Sequence, residues 1–507
     1  MNKKYITFAV LLFSVSYNYG QQLKEPTDFF NTILQSRNEI NSYYVGGNPA
    51  YLKYESSLEE LYINSGYYNE TGDFKKFTTP KTDRLYEISF SGKKSIDSQQ
   101  VFRGSFGVQK VEYRDRDIMF SKNADSWNPF MMGDSVPGTS RFNGIIMKAE
   151  YGASLFNKYL LGVSFNYNVD DGLKKVFPHP VSDHRYIDAR LGIGYLLNEN
   201  LTFGGVACLS DHMEHIDYST DQGYTTETIL YKFRGYANPL LINKKEEARY
   251  SYDNNYSGYF TLSYKNNSMV SGALYFGGGI EQTSTKDDDN NPYSQGYFEN
   301  TYYKGGVNAA VYPVSNLLIG LYYDFEINNM WARSPAYNVR EMENSYPEHI
   351  VKIGAEYTAS EKLHFGVEAG VDYADYDYKD YYSQIYWKAR PVKTSIGAGA
   401  EYKICANFSA LLTADYAHNS SSDNSYINNL QPGTSVNDLM RKNDILYYQS
   451  NYNQIAVSVV PSYYINSFGL IKLYVTYINN KPQNDIWPDG VKRETIDADL
   501  EFRLNVF

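Results

Sequence analysis

Little in this chain would anchor a disulfide scaffold, a helical membrane protein or a nucleic-acid binder. It has two cysteines, Cys208 and Cys405, in 507 residues, too few and too far apart in the chain for a disulfide framework. Histidine is scarce, with seven in all, and neither a Gly-x-Ser-x-Gly elbow nor a His-Glu-x-x-His helix motif occurs. Beyond residue 20 there is no run of eighteen apolar residues, which excludes membrane-spanning helices. Positive charge is in deficit, with 47 Lys and Arg against 58 Asp and Glu and a net charge of −11. That balance argues against nucleic acid as a partner.

Aromatic residues, by contrast, make up 16% of the chain, and 53 residues are tyrosine. The mean hydropathy of −0.51 looks soluble, but lumen and loop residues would dilute the lipid-facing residues of a membrane barrel to the same value. The clearest pattern lies at 361–377. Leu363, Phe365, Val367, Ala369, Val371 and Tyr373 alternate with His364, Gly366, Glu368, Gly370 and Asp372. Strict period-two alternation marks a strand with two unlike faces. It recurs at 160–167, 187–195, 315–327 and 351–357. Tyr151, Tyr167, Tyr195, Tyr264, Tyr357 and Tyr402 end apolar rows, as expected of an aromatic girdle at a membrane border. A soluble antiparallel sheet would look alike strand by strand, but an open sheet this long would leave unpaired edges, and closure removes them.

Residues 1–20 read as an export signal: Lys3 and Lys4, an apolar run from Phe8 to Val15, then Gly20. Residues 21–56 form an N-terminal periplasmic or plug-like segment, with a short helix expected over Asp28–Ile40 and a break at Gly46-Gly47-Asn48-Pro49-Ala50. Its aromatics Phe29, Phe30, Tyr43 and Tyr44 suggest contact with the barrel wall. Residues 57–507 form the barrel. Short connections are expected near 92–99, 152–156, 197–200, 265–267, 312–316, 358–361, 403–405 and 465–468. Long ones are expected near 68–83, 110–141, 169–186, 212–255, 281–298, 329–348, 376–390, 418–452 and 481–494. Short periplasmic turns and long outside loops are the outer-membrane pattern. The predicted fold is all-β, a transmembrane antiparallel barrel of about eighteen strands, with sixteen as the alternative. Thr226–Tyr236 is expected to be a hairpin arm inside an outside loop, because a lone extra barrel strand would break the parity.

Alternation places a set of polar side chains on the lumen face: Arg103, Lys148, Glu150, Arg190, Asp324, Glu326, Lys352, Glu356, Glu368, Asp372, Glu401, Asp415, Asp497, Asp499, Glu501 and Arg503. Such charges must be paired or hydrated. They either brace the wall across neighbouring strands or line a mostly acidic aqueous path for a polar or cationic solute. Gly354, Gly366, Gly370, Gly397 and Gly399 leave interior room for a facing side chain, a plug or curvature. Asp211, His212, Glu214, His215 and Asp217 could supply metal ligands, although charged residues are ordinary at the start of an outside loop. The Asp287-Asp288-Asp289 run reads as a hydrated loop tip. No cofactor is expected, and no nucleophile–base pair suggests an enzyme. Ser126-Trp127-Asn128-Pro129-Phe130-Met131-Met132 and Asn328-Asn329-Met330-Trp331 suit either recognition of a sugar or protein at the surface, or loop-on-loop packing over the pore.

The last strand alternates Ile496, Ala498, Leu500, Phe502, Leu504 and Val506 with Asp497, Asp499, Glu501, Arg503 and Asn505, and ends on Phe507 one residue out of phase with the apolar row. It resembles the terminal targeting strand of bacterial outer-membrane proteins. With the export signal, Asn48-Pro49-Ala50 and the Tyr-rich strands, the chain resembles the outer-membrane β-barrel proteins of Bacteroidota known as DUF6850, over roughly residues 25–507. The resemblance implies the cell outer membrane as location, with lipid and lipopolysaccharide around the barrel and the outer-membrane insertion machinery as an assembly partner. It further implies an accessory or structural barrel in an envelope transport or assembly complex, beside a TonB-dependent transporter or surface lipoprotein. The alternatives from the residues themselves are a polar-solute channel or porin with an acidic lumen, and, less directly, an outer-membrane enzyme.

Overall fold

The computed structural model describes residues 47–54, 60–116, 120–122, 126–134, 136–218, 228–233, 240–244, 247–266, 270–287, 293–335, 338–382, 384–429, 444–465, 469–483 and 486–505. The expected signal, the 28–40 helix and Phe507 lie outside the described residues. A short 3-10 helix, Pro49–Tyr54, precedes the strands. In chain order these are β1 (Glu60–Gly72), β2 (Thr82–Ser95), β3 (Gln100–Arg116), β4 (Met132–Asp134), β5 (Gly138–Leu155), β6 (Tyr159–Lys174), β7 (Val181–Leu196) and β8 (Leu201–Asp217). Then come β9 (Thr228–Lys232), β10 (Leu240–Lys244), β11 (Ala248–Asn266), β12 (Val270–Asp287), β13 (Tyr293–Val314), β14 (Leu317–Ser334) and β15 (Val339–Ser360). The chain finishes with β16 (Leu363–Ala374), β17 (Tyr376–Asp380), β18 (Ile385–Cys405), β19 (Phe408–Asn428), β20 (Tyr452–Ile465), β21 (Gly469–Pro482) and β22 (Arg493–Asn505).

Each barrel strand pairs antiparallel with its neighbour in sequence, and β22 returns to β1 from Glu60↔Asn505 to Gly72↔Arg493. The sheet therefore closes on itself. β16 and β17 share one position, interrupted at Asp375, between β15 and β18, so the closed barrel has 18 strands. The sixteen-strand alternative is set aside. β9 pairs with β10 and β4 in a separate three-stranded sheet. Thr228–Lys232 is thus an arm inside a long loop, as the parity argument requires.

Exposure alternates along the wall. On β7, Leu191 and Ile193 are 58% and 56% exposed, while Gly192 and Gly194 are buried inside. The same outward row holds Phe260 on β11, Ile353 on β15, Val367 on β16 and Ile396 on β18. A continuous exposed apolar band of this kind is stable against lipid, not water.

The strands outrun the bilayer. A transmembrane strand needs about 9–11 residues, yet β13 and β15 have 22 each. Several expected long loops are largely ladder. The connections are 175–180, 288–292, 335–338 and 381–384, where the sequence suggests 169–186, 281–298, 329–348 and 376–390. Beyond the hydrocarbon the outward face can be polar, so the alternation loses its membrane sense while backbone pairing continues. The genuinely long connections are 117–137, which carries β4, 218–247, which carries β9 and β10, and 429–451. All three open at the end opposite the short turns, the outside by the general rule for such barrels.

Leu191→Arg places a guanidinium near the middle of the lipid-facing band. It should destabilise the barrel by about 2–4 kcal/mol, read from urea unfolding in lipid vesicles. Thr261→Val on the inner wall should cost no more than about 1–3 kcal/mol.

Candidate functional site

Two segments of the chain lie inside the barrel against its wall, one at each end. At the short-turn end, residues 47–54 lie inside the wall formed by β5, β6, β7 and β8. The fit depends on glycine. A Cβ on Gly162 would come within 2.2 Å of Pro49 C and 2.3 Å of Ala50 N, and one on Gly192 within 2.0 Å of Asn48 Oδ1. Gly152, Gly194 and Gly204 complete the seat. The Asn48 side chain donates to the carbonyls of Ile193, at 3.0 Å, and Gly205, at 3.1 Å, and its Oδ1 accepts from Ala50 N. Tyr51 Oη meets Thr261 Oγ1 at 2.8 Å. Ala50, Tyr51 and Leu52 are fully buried with Val101 and Leu160. The glycines singled out in the sequence, Gly354, Gly366, Gly370, Gly397 and Gly399, lie elsewhere on the wall. The plug therefore has its own seat, legible only once Gly162, Gly192 and Gly204 are seen to share a face.

At the other end, residues 120–122 and 126–134 fold inward. Phe120 packs against Phe142, Tyr113 and Ile216. The Lys122 ammonium bonds Asp170, the Lys122 amide donates to Glu214 Oε1 at 2.7 Å, and the Ser121 hydroxyl donates to the same carboxylate. Farther along, Trp127 stacks on Tyr448 and Trp387, 5.7 and 6.4 Å between centroids, across from the strands that launch the loop. Phe130 and Met132 are buried. Trp127 and Phe130 thus pack against β13–β18 and Tyr448, the loop-on-loop arrangement, with Trp127 partly exposed. Trp331 is likewise engaged, donating to Glu299 and covered by Arg340.

Ion pairs clamp the loop sheet to the wall. Lys174 Nζ meets Asp134 at 2.7 and 2.8 Å. Asp134 is outside the membrane-spanning wall; burial pushes its carboxyl up, against the opposing pull of Lys174. Lys232 bonds Glu247 and, at 2.5 Å, Asp287, which also takes a two-pronged Arg249 at 2.6 and 3.0 Å. Asp287 is 0% exposed. The hydrated-tip reading is therefore corrected at that residue; Asp288 and Asp289 lie outside the described residues.

The sequence-selected polar residues all fall on the face opposite the exposed apolar rows. Arg103 Nε meets Glu150 Oε2 at 2.5 Å, and Lys148 Nζ meets its other oxygen at 2.9 Å. Arg190 pairs with Asp188 at 2.8 Å beside Gly47. Tyr275 and Tyr322 hydroxyls donate to Asp324, and Lys304 pairs with Glu326 at 2.6 Å. Lys352 lies near Gly370, Asp372 is 3.9 Å from Lys393, and Ser409 donates to Glu401 at 3.1 Å. Glu356 and Glu368 are buried, and Asp415 faces inward opposite Gly397. On β22, Asp497, Asp499, Glu501 and Arg503 share the inner face. Asp499 lies against Gly66, and Arg503 is 3.5 Å from Glu501 and covers Tyr62.

The candidate metal cluster does not converge. Residues 211–217 are strand, not loop, so successive side chains part. His212 and Glu214 point into the lumen, whereas Asp211, His215 and Asp217 point out. Asp211 pairs with Arg185, and His215 stacks on Tyr250 at 4.2 Å. Among the described residues no group of three His, Cys, Asp or Glu could hold a metal ion. His212 instead meets His184, 4.4 Å between ring centroids, a partner no local motif announces. Between this pair and the inward loop lies a cavity of about 300 Å³, lined also by Glu214, Asp253, Glu281, Arg249, Phe130 and Phe298.

The family of unknown function DUF6850 matches residues 49–504. The chain belongs to DUF6850. The DUF6850 match begins at Pro49, inside the glycine-seated plug, and includes all 18 barrel positions. Comparison with curated proteins finds no match. Among solved structures, the DUF6850 chain is similar to the toluene transporter TodX of Pseudomonas putida, with 11% identity, TM-score 0.31 and coverage of 97% of this chain and 96% of that one. It is similar to the siderophore receptor PiuA of Acinetobacter baumannii, with 7% identity, TM-score 0.41 and coverage of 88% and 82%. The ferric yersiniabactin uptake receptor FyuA of Yersinia pestis gives 8% identity, TM-score 0.39 and coverage of 89% and 80%. What those proteins carry is theirs, and at such scores none of it transfers.

Two substitutions test the closures of this DUF6850 barrel. Gly162→Val should expel the 49–52 segment. A cysteine at Ala50, in a Cys405→Ser background, should then react with maleimide at least tenfold faster than with Gly162 intact. Lys122→Met removes the ammonium from the buried Asp170, which keeps Gln109 and His184 beside it, and should weaken the loop-end packing by about 1–3 kcal/mol, read as a loss of amide-exchange protection across the described residues 120–122 and 126–134.

Proposed function

We propose that this DUF6850 chain is a gated channel of the cell outer membrane for small polar solutes, favouring cations over anions. What supports the reading is that two chain segments, 47–54 and the described residues 120–122 and 126–134, lie inside the barrel, while the wall itself stays polar. A barrel of 18 strands is wide enough to hold water once such segments withdraw. The inner acids on β14–β16 and β22 raise the local concentration of cations and repel anions. The exposed apolar band, the short turns at one end and the export signal read at residues 1–20 support the outer membrane as the location.

Current across planar bilayers tests the reading. The parent protein should be mostly closed. Lys122→Met combined with Gly162→Val should raise the open probability at least tenfold, and a salt gradient should give a reversal potential showing potassium more permeant than chloride. A doubly released variant that inserts, keeps its heat-modifiable gel mobility and passes no current would refute the channel. It would return the assignment to an accessory barrel beside a TonB-dependent transporter or surface lipoprotein.

A further inference from the structure

The cavity under the inward loop has an uneven charge balance. Glu214, Asp253 and Glu281 line it. Glu214 is met by the neutral donors Ser121 and Lys122 N. Asp253 Oδ2 is 2.7 Å from His212 Nδ1, and Asp253 Oδ1 has no hydrogen-bond partner. Glu281 has no ion pair among the described residues, and its close neighbours include Asp253 and the Asn300 side chain. The nearby cations are already committed, Arg249 to Asp287 and Lys122 to Asp170.

The histidines add acceptors. His184 is 3% exposed and lines the cavity; its Nδ1 is 3.3 Å from Asp170 Oδ2, and neither ring nitrogen has a hydrogen-bond partner. His212 Nε2 is also unpartnered. In the neutral ring of His212 the Asp253 carboxylate holds the proton on Nδ1, so its Nε2 offers a lone pair. Buried acceptors left unpaired are costly. A ligand that satisfies them must bring N–H donors and positive charge. Phe130, Phe298 and Ile216 supply apolar wall, and about 300 Å³ is the size of a small organic site, far larger than a bare ion needs.

We propose that this cavity binds a small organic ammonium ion with an apolar tail. The three ammonium N–H groups go to Asp253, Glu281 and His212 Nε2, with His184 beside them, and the tail lies against Phe130 and Phe298. The proposal deepens the channel reading, since it names the solute class for which the lumen is built.

Calorimetric titration of the detergent-solubilised full chain at pH 8 tests it, with phenethylamine as probe and phenylacetate, phenethyl alcohol and zinc chloride alone as comparisons. Phenethylamine should bind at least tenfold more tightly than phenylacetate or phenethyl alcohol. Glu281→Gln and Asp253→Asn should each weaken it at least fivefold, with gel mobility confirming a folded barrel. Equal binding of phenylacetate, indifference to both substitutions, or a response to zinc alone would overturn the proposal. Amine binding without any current from the released variant would sink the channel and leave the site standing. Current without amine binding would do the reverse.

Discussion

In hydrocarbon there is no water to take up a free amide or carbonyl, so every backbone polar group of the wall must find a partner within the wall. The pairing of β22 with β1 meets that demand. Without it the first and last strands would each present an unpaired edge to lipid. Closure requires the ends of the chain to lie side by side, sets an even number of strand positions, and sends consecutive side chains alternately to lipid and to lumen. The exposed leucines and isoleucines and the inward carboxylates are two consequences of one ladder.

Closure creates a second problem inside. A wall of 18 strands encloses more space than its side chains can fill. The chain fills much of it with itself, by different means at the two ends. Near the short turns the wall removes side chains: Gly162, Gly192 and Gly204 bring strand backbone close to Pro49, Asn48 and Tyr51. At the loop end the wall keeps its side chains and meets the inserted segment with charge, as in Lys122 with Asp170 and Lys174 with Asp134. Beneath the loop-end segment lies the cavity where Asp253 Oδ1 and His212 Nε2 have no partner.

The membrane-spanning part was legible because burial conditions there reverse at every residue. Leu363 to Tyr373 betray β16 without any motif. The signal failed where that contrast ends. Above the bilayer, the outer halves of β13–β18 turn Phe298, Met330, Ala332, Met342, Ile385 and Trp387 inward and polar residues such as Asn329, Arg333, Glu343 and Lys388 outward, so the alternation no longer has its membrane sense and the stretch reads as loop, although the ladder runs on. Asp287 looked hydrated because its partners, Arg249 and Lys232, are distant in sequence. His212 and His215 looked like a pair because spacing of three suits a turn; in a strand the same spacing puts them on opposite faces. The contact of His184 with His212 depends on the β7–β8 register, Tyr186↔His212, which is fixed by the turn at 197–200 and not by any local sequence feature. The N-terminal segment was expected to touch the wall, and 47–54 does, but the seat itself could not be read. A glycine in an alternating strand is equally consistent with curvature, a bulge or a close approach.

The two closures differ in physical character, and that difference bears on how a lumen of this kind could open. A backbone seated on glycines is held by close packing and by hydrogen bonds to strand carbonyls, neither of which responds strongly to ionic strength. It yields when something pulls or displaces the segment. An inserted loop held by carboxylate–ammonium pairs depends on staying dry, because those pairs lose most of their attraction once water raises the local dielectric. A polar solute arriving from the loop end brings its own hydration and charge to that boundary. On the proposed reading, a cationic one would compete with the Lys122 ammonium for Asp170. On the proposed channel reading, the loop-end segment is therefore the one a solute would loosen by its chemistry alone, whereas the glycine-seated segment would need a mechanical step. That order, chemical recognition outside and steric release inside, follows from which end carries the charges and which end carries the glycines.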